Sequence, residues 1–286
     1  MGVEVGRIGV WVPGGLLPEA GEATAALSGL AELGYQALWL GRSPAGTLEQ
    51  PEAVLAATSK LAVATGIASI WPHPPATVAA AYHRVTTAYP ARFLLGLGVS
   101  HAHLVEPSGQ EYARPYRKLV EFLDGLDAAD QPVPAAGRVL AALGPRMLAL
   151  ARDRAAGAHP YLVTPEHTRR AREILGSGPL LAPEQKVVLD TDPARAREIA
   201  RAMLGTYLRA PNYIANLRRL GFTDEDISGA SDRLVDALVA WGDEAAIARR
   251  VAEHHAAGAD HVCIQVLTGE QALPWDQWRA LAPALA

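Results

Sequence analysis

Tyr89-Pro90-Ala91-Arg92-Phe93-Leu94-Leu95-Gly96-Leu97-Gly98-Val99-Ser100-His101 is the stretch from which the fold is read. A helix predicted over 76–89 leads into it. Residues 93–97 are a short apolar run without polar alternation, the pattern of a strand buried on both faces. Gly96 and Gly98 stand at its end, and Ser100 and His101 follow directly. Another helix is predicted over 112–129. The unit is a helix, a buried strand and a helix.

The same unit recurs outward in both directions. On the N-terminal side, strands are predicted at 7–12, 37–40 and 66–70, with helices at 19–33 and 51–64. Gly34 supplies a natural stop for the first helix. On the C-terminal side, strands are predicted at 139–143, 158–162, 186–189 and 261–266. Helices are predicted at 146–155, 165–175, 193–207, 243–257 and 275–285. Pro165 suits a first helical position, and Asp192 suits an N-cap. Residues 209–241 break the rhythm and read as one or two extra helices inserted after helix seven. Eight strands alternating with helices imply a parallel sheet covered by helices. The chain has 286 residues, close to the ~250 of a (β/α)8 barrel. The competing doubly wound sheet needs a dinucleotide fingerprint after strand one, and Val12-Pro13-Gly14-Gly15 does not supply it. The expected fold is therefore α/β: one TIM-barrel domain over 1–286, with a helical insertion after helix seven.

Composition narrows the function. Hydrophobic residues make up 50%, enough for a large core, and the net charge is only -4. So mild an acidity gives no electrostatic case for nucleic acid or an anionic membrane. The lone Cys263 lies in an apolar strand and excludes an intrachain disulfide and a thiolate-rich metal site. Residues 1–18 carry Glu4 and Arg7 and break at Pro13-Gly14-Gly15 before any long apolar stretch, so no signal peptide is predicted. No window approaches 18 apolar residues, and the expectation is a cytoplasmic protein.

Barrel active sites lie where the strands end. Gly96 and Gly98 would let a flat ring or a phosphate approach the backbone there; otherwise they serve tight packing. His73 and His101 fall just beyond strand ends and are the acid/base candidates, with an exposed loop histidine as the plainer reading of His73. His159 lies on strand six, as a site residue or a satisfied core histidine. His254 and His255 fall on the helix before the last strand, on the barrel exterior. Gly144-Pro145-Arg146-Met147 begins a helix after strand five, either as a phosphate site or as a plain turn. Trp11, Trp39 and Trp71 stand on or just after the first three strands; core packing suits Trp39, and Trp71 could cover a ring. No two histidines stand with a carboxylate at metal-ligand spacing, so no catalytic metal is predicted.

Three segments resemble the bacterial luciferase-like superfamily, and within it the actinobacterial branch that uses coenzyme F-420. They are Ala64-Thr65-Gly66-Ile67-Ala68-Ser69-Ile70-Trp71 with Pro75-Ala76-Thr77-Val78-Ala79, then Tyr89 to His101, then Gly157-Ala158-His159-Pro160-Tyr161 with Thr164-Pro165-Glu166-His167-Thr168. The second resembles the family's "P-x-R-(F/V)-x-x-G-(I/V)-G" signature. The resemblance implies an oxidoreductase moving a hydride between F-420, an 8-hydroxy-5-deazaflavin, and a small organic substrate. FMN is the alternative cofactor, in a monooxygenase. A degenerate, ligand-binding barrel is the non-catalytic alternative. The resemblance also implies a non-prolyl cis peptide at Ser69-Ile70 or an immediate neighbour. The implied cofactor contacts are Ser69, Ile70, Gly98, Val99, Ser100, Gly144, Arg146, Gly157, Ala158 and His159, with His101 and His73 in catalysis. A homodimer is compatible with the family. One departure stands out. Where characterised deazaflavin relatives place an acid and a histidine after strand two, this chain has Leu40-Gly41-Arg42-Ser43.

Overall fold

The computed structural model describes residues 2–17, 27, 29–41 and 46–286. The strands are β1 (Ile8–Pro13), β2 (Ala37–Gly41), β3 (Ala62–Thr65), β4 (Ala68–Ser69), β5 (Phe93–Gly98) and β6 (Arg138–Leu140). They continue with β7 (Gly157–Ala158), β8 (Leu180–Leu181), β9 (Glu184–Leu189), β10 (Val239–Gly242) and β11 (Val262–Val266). Every ladder between them is parallel. β8 and β9 form one course, broken at Ala182-Pro183, where proline has no N–H to give the ladder. The course still holds, since Ala182 N and Glu184 N donate to Ala158 O and Pro160 O, each at 2.9 Å. β8 pairs with β7, and β9 pairs with β11, which pairs with β1. The sheet thus closes into the expected (β/α)8 barrel.

Strand alternation explains the near-continuous apolar runs. Val10, Leu38, Val63, Leu95 and Ile264 belong to the large core beneath the helices. Trp11, Trp39, Ala64, Leu94, Val139 and Cys263 form a second core inside the barrel. Helices Pro165–Leu175, Pro193–Tyr207 and Trp275–Leu285 have the predicted bounds. Asp192 caps the second of these, accepting from Ala194 N at 2.9 Å and Arg195 N at 3.2 Å. Most of the helix predicted at 19–33 lies outside the described residues. Its stop at Gly34 is described, with φ +95° and Tyr35 N donating to Leu30 O at 3.1 Å.

Four expectations are corrected. The helix predicted over 51–64 is Glu49–Ala57. Thr58, extended and bonded back to Val54 O at 3.0 Å, ends it, and Ala62–Thr65 is already strand. Strand three therefore begins four residues before the predicted residue 66. β6 and β7 are shorter than 139–143 and 158–162, although Ala141 N still donates to Leu97 O at 2.8 Å and Pro160 O still accepts from Glu184 N at 2.9 Å. The insertion holds three short helices, Pro211–Arg219, Asp224–Ser228 and Asp232–Leu238, and then β10, which lies beside β9 and was not expected. Four residues, Val-Ala-Trp-Gly, carry too little periodicity to mark a strand.

The arginine of the signature segment works at the bottom of the barrel. Arg92 donates to Leu61 O at 2.9 and 3.1 Å, to Leu55 O at 3.4 Å and to Thr58 Oγ1 at 2.9 Å. It ties the end of helix Glu49–Ala57 to the start of β3. Arg92→Ala should lower stability by about 2–4 kcal/mol, since it strands several partly buried acceptors. Arg92→Lys should recover little, because an ammonium cannot fork. Urea midpoints of the two variants check this.

Candidate active site

The site begins with a defect in the ladder. Ala64 pairs with Leu94, but Ala68 pairs with Leu97. The segment from β3 to β4 therefore has one residue more than β5 opposite it, a bulge at the barrel rim. The Thr65 hydroxyl repairs the ladder, donating to Gly96 O at 2.7 Å and accepting from Gly96 N at 2.8 Å. A Cβ on Gly96 would stand 1.8 Å from Thr65 O, so this glycine serves the bulge rather than a ligand. The peptide Gly66–Ile67 inside the bulge is cis. The expected position was Ser69-Ile70 or a neighbour. The bond lies three residues earlier because β3 ends at Thr65, so the strand end falls before Ser69.

Around this bulge, half of the barrel mouth is a shelf of backbone and small side chains. The inward positions at the strand ends are Gly41, Gly66, Gly98 and Ala141. A Cβ on Gly98 would come within 2.8 Å of Ile67 Cδ1 and 3.0 Å of Ala141 Cβ. A Cβ on Gly66 would come within 2.7 Å of Trp11 Nε1, which donates to Gly66 O at 3.0 Å. A Cβ on Gly41 would fall 1.7 Å from the Trp11 ring. The Trp11 indole therefore takes the inward space at the end of β2, where relatives were expected to carry an acid and a histidine. Arg42 and Ser43 of that segment lie outside the described residues.

The other expected contacts divide. Val99 and Ser100 are partly exposed at the mouth, and their carbonyls accept from Trp71 Nε1 at 2.7 Å and Tyr112 Oη at 3.1 Å. Ser69 is partly exposed, and its hydroxyl accepts from Trp71 N at 3.4 Å. Ile70 turns into the core beneath the helices, as does Ala158. Gly157 packs on β8, where a Cβ would meet Leu180 O at 1.9 Å. His159 lies under the bulge, stacked on Trp39 at 4.2 Å, with Nδ1 2.7 Å from Ala182 O. That carbonyl can only accept, so Nδ1 carries the proton, and burial lowers the pKa to about 4. His73 packs against Gly46 beyond β2, where Cδ2 would be 2.9 Å from an added Cβ. His101 follows β5, its ring 5.6 Å from His103 and 5.5 Å from Tyr213, and it bonds Asn212. Burial and the neighbouring His103 lower its pKa, while the bond to Asn212 raises it. Trp71 covers the Val99–Ser100 loop, with Tyr112 5.3 Å away, and Trp39 is core, as expected.

Gly144 is the N-cap of helix Pro145–Arg154. Arg146 is exposed and lies over the Tyr116 ring at 4.3 Å. A second guanidinium, missed in the sequence, comes from the insertion: Arg219 Nη2 stands 3.5 Å from where a Cβ of Gly144 would be. Neither arginine has an ion pair among the described residues. Asn216, bonded to Arg219 at 3.4 Å, is buried with its Nδ2 unpartnered. This helix start has the donors that an anion needs.

The half of the mouth facing the shelf is polar. Tyr161, Lys186 and Gln265 stand there, with Glu184 below Lys186. A cleft of about 380 Å³ opens at the ends of β9 and β11, lined by Val188, Asp190, Leu267, Thr268 and Trp275 among others. Among the described residues, no group of three His, Cys, Asp or Glu is placed to hold a metal ion.

The luciferase-like monooxygenase family model matches residues 7–261. The chain belongs to the luciferase-like monooxygenase family. The oxidoreductase class expected from the sequence goes with that membership. Solved structures of luciferase-like relatives cover nearly the whole chain. An F-420-dependent secondary alcohol dehydrogenase, in complex with an F-420–acetone adduct, has a TM-score of 0.76 at 15% identity, over 99% of this chain and 100% of that one. The coenzyme F-420-dependent tetrahydromethanopterin reductase of Methanopyrus kandleri has 0.72 at 15%, over 98% and 97%. The oxygenating component of 3,6-diketocamphane monooxygenase from Pseudomonas putida, in complex with FMN, has 0.64 at 14%, over 98% and 99%. At such identities the likeness is one of fold. No curated protein matches the luciferase-like chain by sequence. No described helix is long and apolar enough to cross a membrane.

Proposed function

We propose that this chain is an oxidoreductase that moves a hydride between coenzyme F-420 and a small organic substrate. The observation that carries the reading is the rim bulge, where the strand ends at Gly66, Gly98 and Ala141 put backbone rather than large side chains at the mouth. A flat tricyclic ring fits such a surface. Its phosphate would go to the start of helix Pro145–Arg154, where the amides of Arg146 and Met147 and the guanidinium of Arg219 can receive it. The bound cofactor supplies or accepts the hydride. The chain does the rest. The shelf orients the ring, and the insertion, through Tyr213 and Asn212, covers His101 from water.

A direct test is titration of the protein with F-420 and with FMN, followed by fluorescence. The reading expects saturable binding with F-420 the tighter ligand. Tighter FMN binding with oxygen consumption would make the chain a monooxygenase, and no binding of either would make it a degenerate barrel. Gly98→Val, whose Cβ must displace Ile67, should weaken cofactor binding by about tenfold or more, roughly 1.4 kcal/mol, with circular dichroism checking that it folds. His101→Ala should lower turnover by at least about 100-fold, the usual contribution of a proton-transferring side chain. Normal cofactor affinity in the first variant, or near wild-type turnover in the second, would remove that residue from the site.

A further inference from the structure

Stability alone does not account for the deepest polar group below the mouth. Glu184 and Lys186 point inward from alternate positions of β9, and neither side chain is exposed. Lys186 Nζ lies 3.0 Å from both carboxylate oxygens, and Leu162 N also donates to Glu184 Oε2, at 3.3 Å. Burying two ions forfeits hydration that their attraction does not fully return, and apolar residues of similar volume would serve stability as well. The pair is better explained by what it acts upon. The ammonium stands 3.5 Å from the centre of the Tyr161 ring and 5.4 Å from that of Tyr207. The two hydroxyls are 3.0 Å apart, and Tyr161 Oη is 2.9 Å from Gln265 Oε1. Both tyrosines are partly exposed at the mouth. Tyr161 packs at 5.3 Å on Trp11, the indole that bonds Gly66 O on the shelf.

We propose that Tyr161 and Tyr207 form an oxyanion-binding pair, which holds the oxygen of a small carbonyl compound, or of its alcohol, at the barrel mouth. The ion pair is a dipole with its positive end against the tyrosine rings, so it favours negative charge at that oxygen. Glu184 positions Lys186. The hydroxyls can donate outward in series when the Gln265 amide turns over, so that Nε2 donates to Tyr161, Tyr161 to Tyr207, and Tyr207 to the ligand. Besides His159, which burial keeps neutral, the titratable groups around the pair are Cys263 on β11 and Tyr213 on the insertion. Burial pushes both well above their ordinary range and does the same to Tyr161. They stay protonated, and Tyr161 remains a donor. The proposal rests on the oxidoreductase reading for the choice of a carbonyl ligand.

The probe is 4-nitrophenol, whose phenolate is coloured and whose phenol is not. Bound to the wild-type protein, it should remain ionised about one pH unit lower than in water, a tenfold preference for the oxyanion. Tyr161→Phe should abolish that preference. So should the neutral double variant Glu184→Gln/Lys186→Met, which keeps both hydroxyls and removes the dipole. Circular dichroism confirms folding of each variant. Binding of the neutral phenol alone, no binding at all, or the same ionisation in all three proteins would overturn the proposal. F-420 and FMN titrations on the same samples separate the two readings. An intact phenolate preference without cofactor binding sinks the oxidoreductase and spares the pair. Cofactor binding without the preference sinks the pair alone.

Discussion

Acidification should unfold this protein cooperatively between about pH 5 and 4, far from the neutral range in which it is stable. Four histidines are buried: His159, His167, His254 and His261. Burial lowers the first two to about 4 and the last two to about 3, from an ordinary value of 6.5. The native state therefore keeps them neutral, while the unfolded chain binds a proton at each below about pH 6.5. Their stabilisation is complete above pH 6.5, and it is lost as pH falls towards about 4 and 3. Each contributes up to about 1.4 kcal/mol per pH unit in that window. Over two units, four such groups amount to on the order of 10 kcal/mol, comparable to the whole stability of a domain. Their bonds are made by neutral rings: Trp39 Nε1 donates to His261 Nε2 at 3.0 Å, and His254 bridges Thr168 Oγ1 and Gln185 Oε1, each at 2.8 Å. Circular dichroism against pH gives the midpoint. His254→Gln should flatten the acid limb by about one proton. A limb of unchanged slope would assign acid unfolding to other groups.

Removing one ion of the buried pair should be far worse than removing both. Lys186→Met leaves Glu184 with no cation, buried among Tyr161, Tyr213 and Cys263. The expected loss at neutral pH is about 3–5 kcal/mol. The loss should shrink as pH falls and the carboxyl takes up a proton, since burial already pushes Glu184 upward. Glu184→Gln/Lys186→Met should lie within about 1 kcal/mol of wild type, because no charge is left unpaired. Urea unfolding of the two single variants and the double closes the cycle. Additive losses would mean that the ions do not interact.

The barrel was legible because its strands are buried on both faces and its helices start at Pro165, Pro193 and other marked positions. The bulge was not, since Gly66-Ile67 reads like any strand interior; only the register shift between Ala64–Leu94 and Ala68–Leu97 reveals it. Misplacing that end by a few residues moved the cis peptide and turned Ile70 towards a cofactor when it faces the helices. Gly98 was found because a glycine at a strand end is visible in sequence. Arg219 and Tyr207 were missed because the insertion and the end of helix Pro193–Tyr207 bring them to the mouth from far along the chain. Glu184 and Lys186 left no clear signal, since Glu184-Gln185-Lys186 is a continuous polar stretch ahead of the apolar Val187-Val188-Leu189.

The most direct measurement is a crystal structure of the protein soaked with coenzyme F-420. The account predicts the deazaflavin ring against Gly66–Ile67 and Gly98, one face turned to Tyr161, with the phosphate at Gly144–Met147 within reach of Arg219. A ring bound elsewhere on the barrel, or no ring bound at saturating F-420, would contradict it.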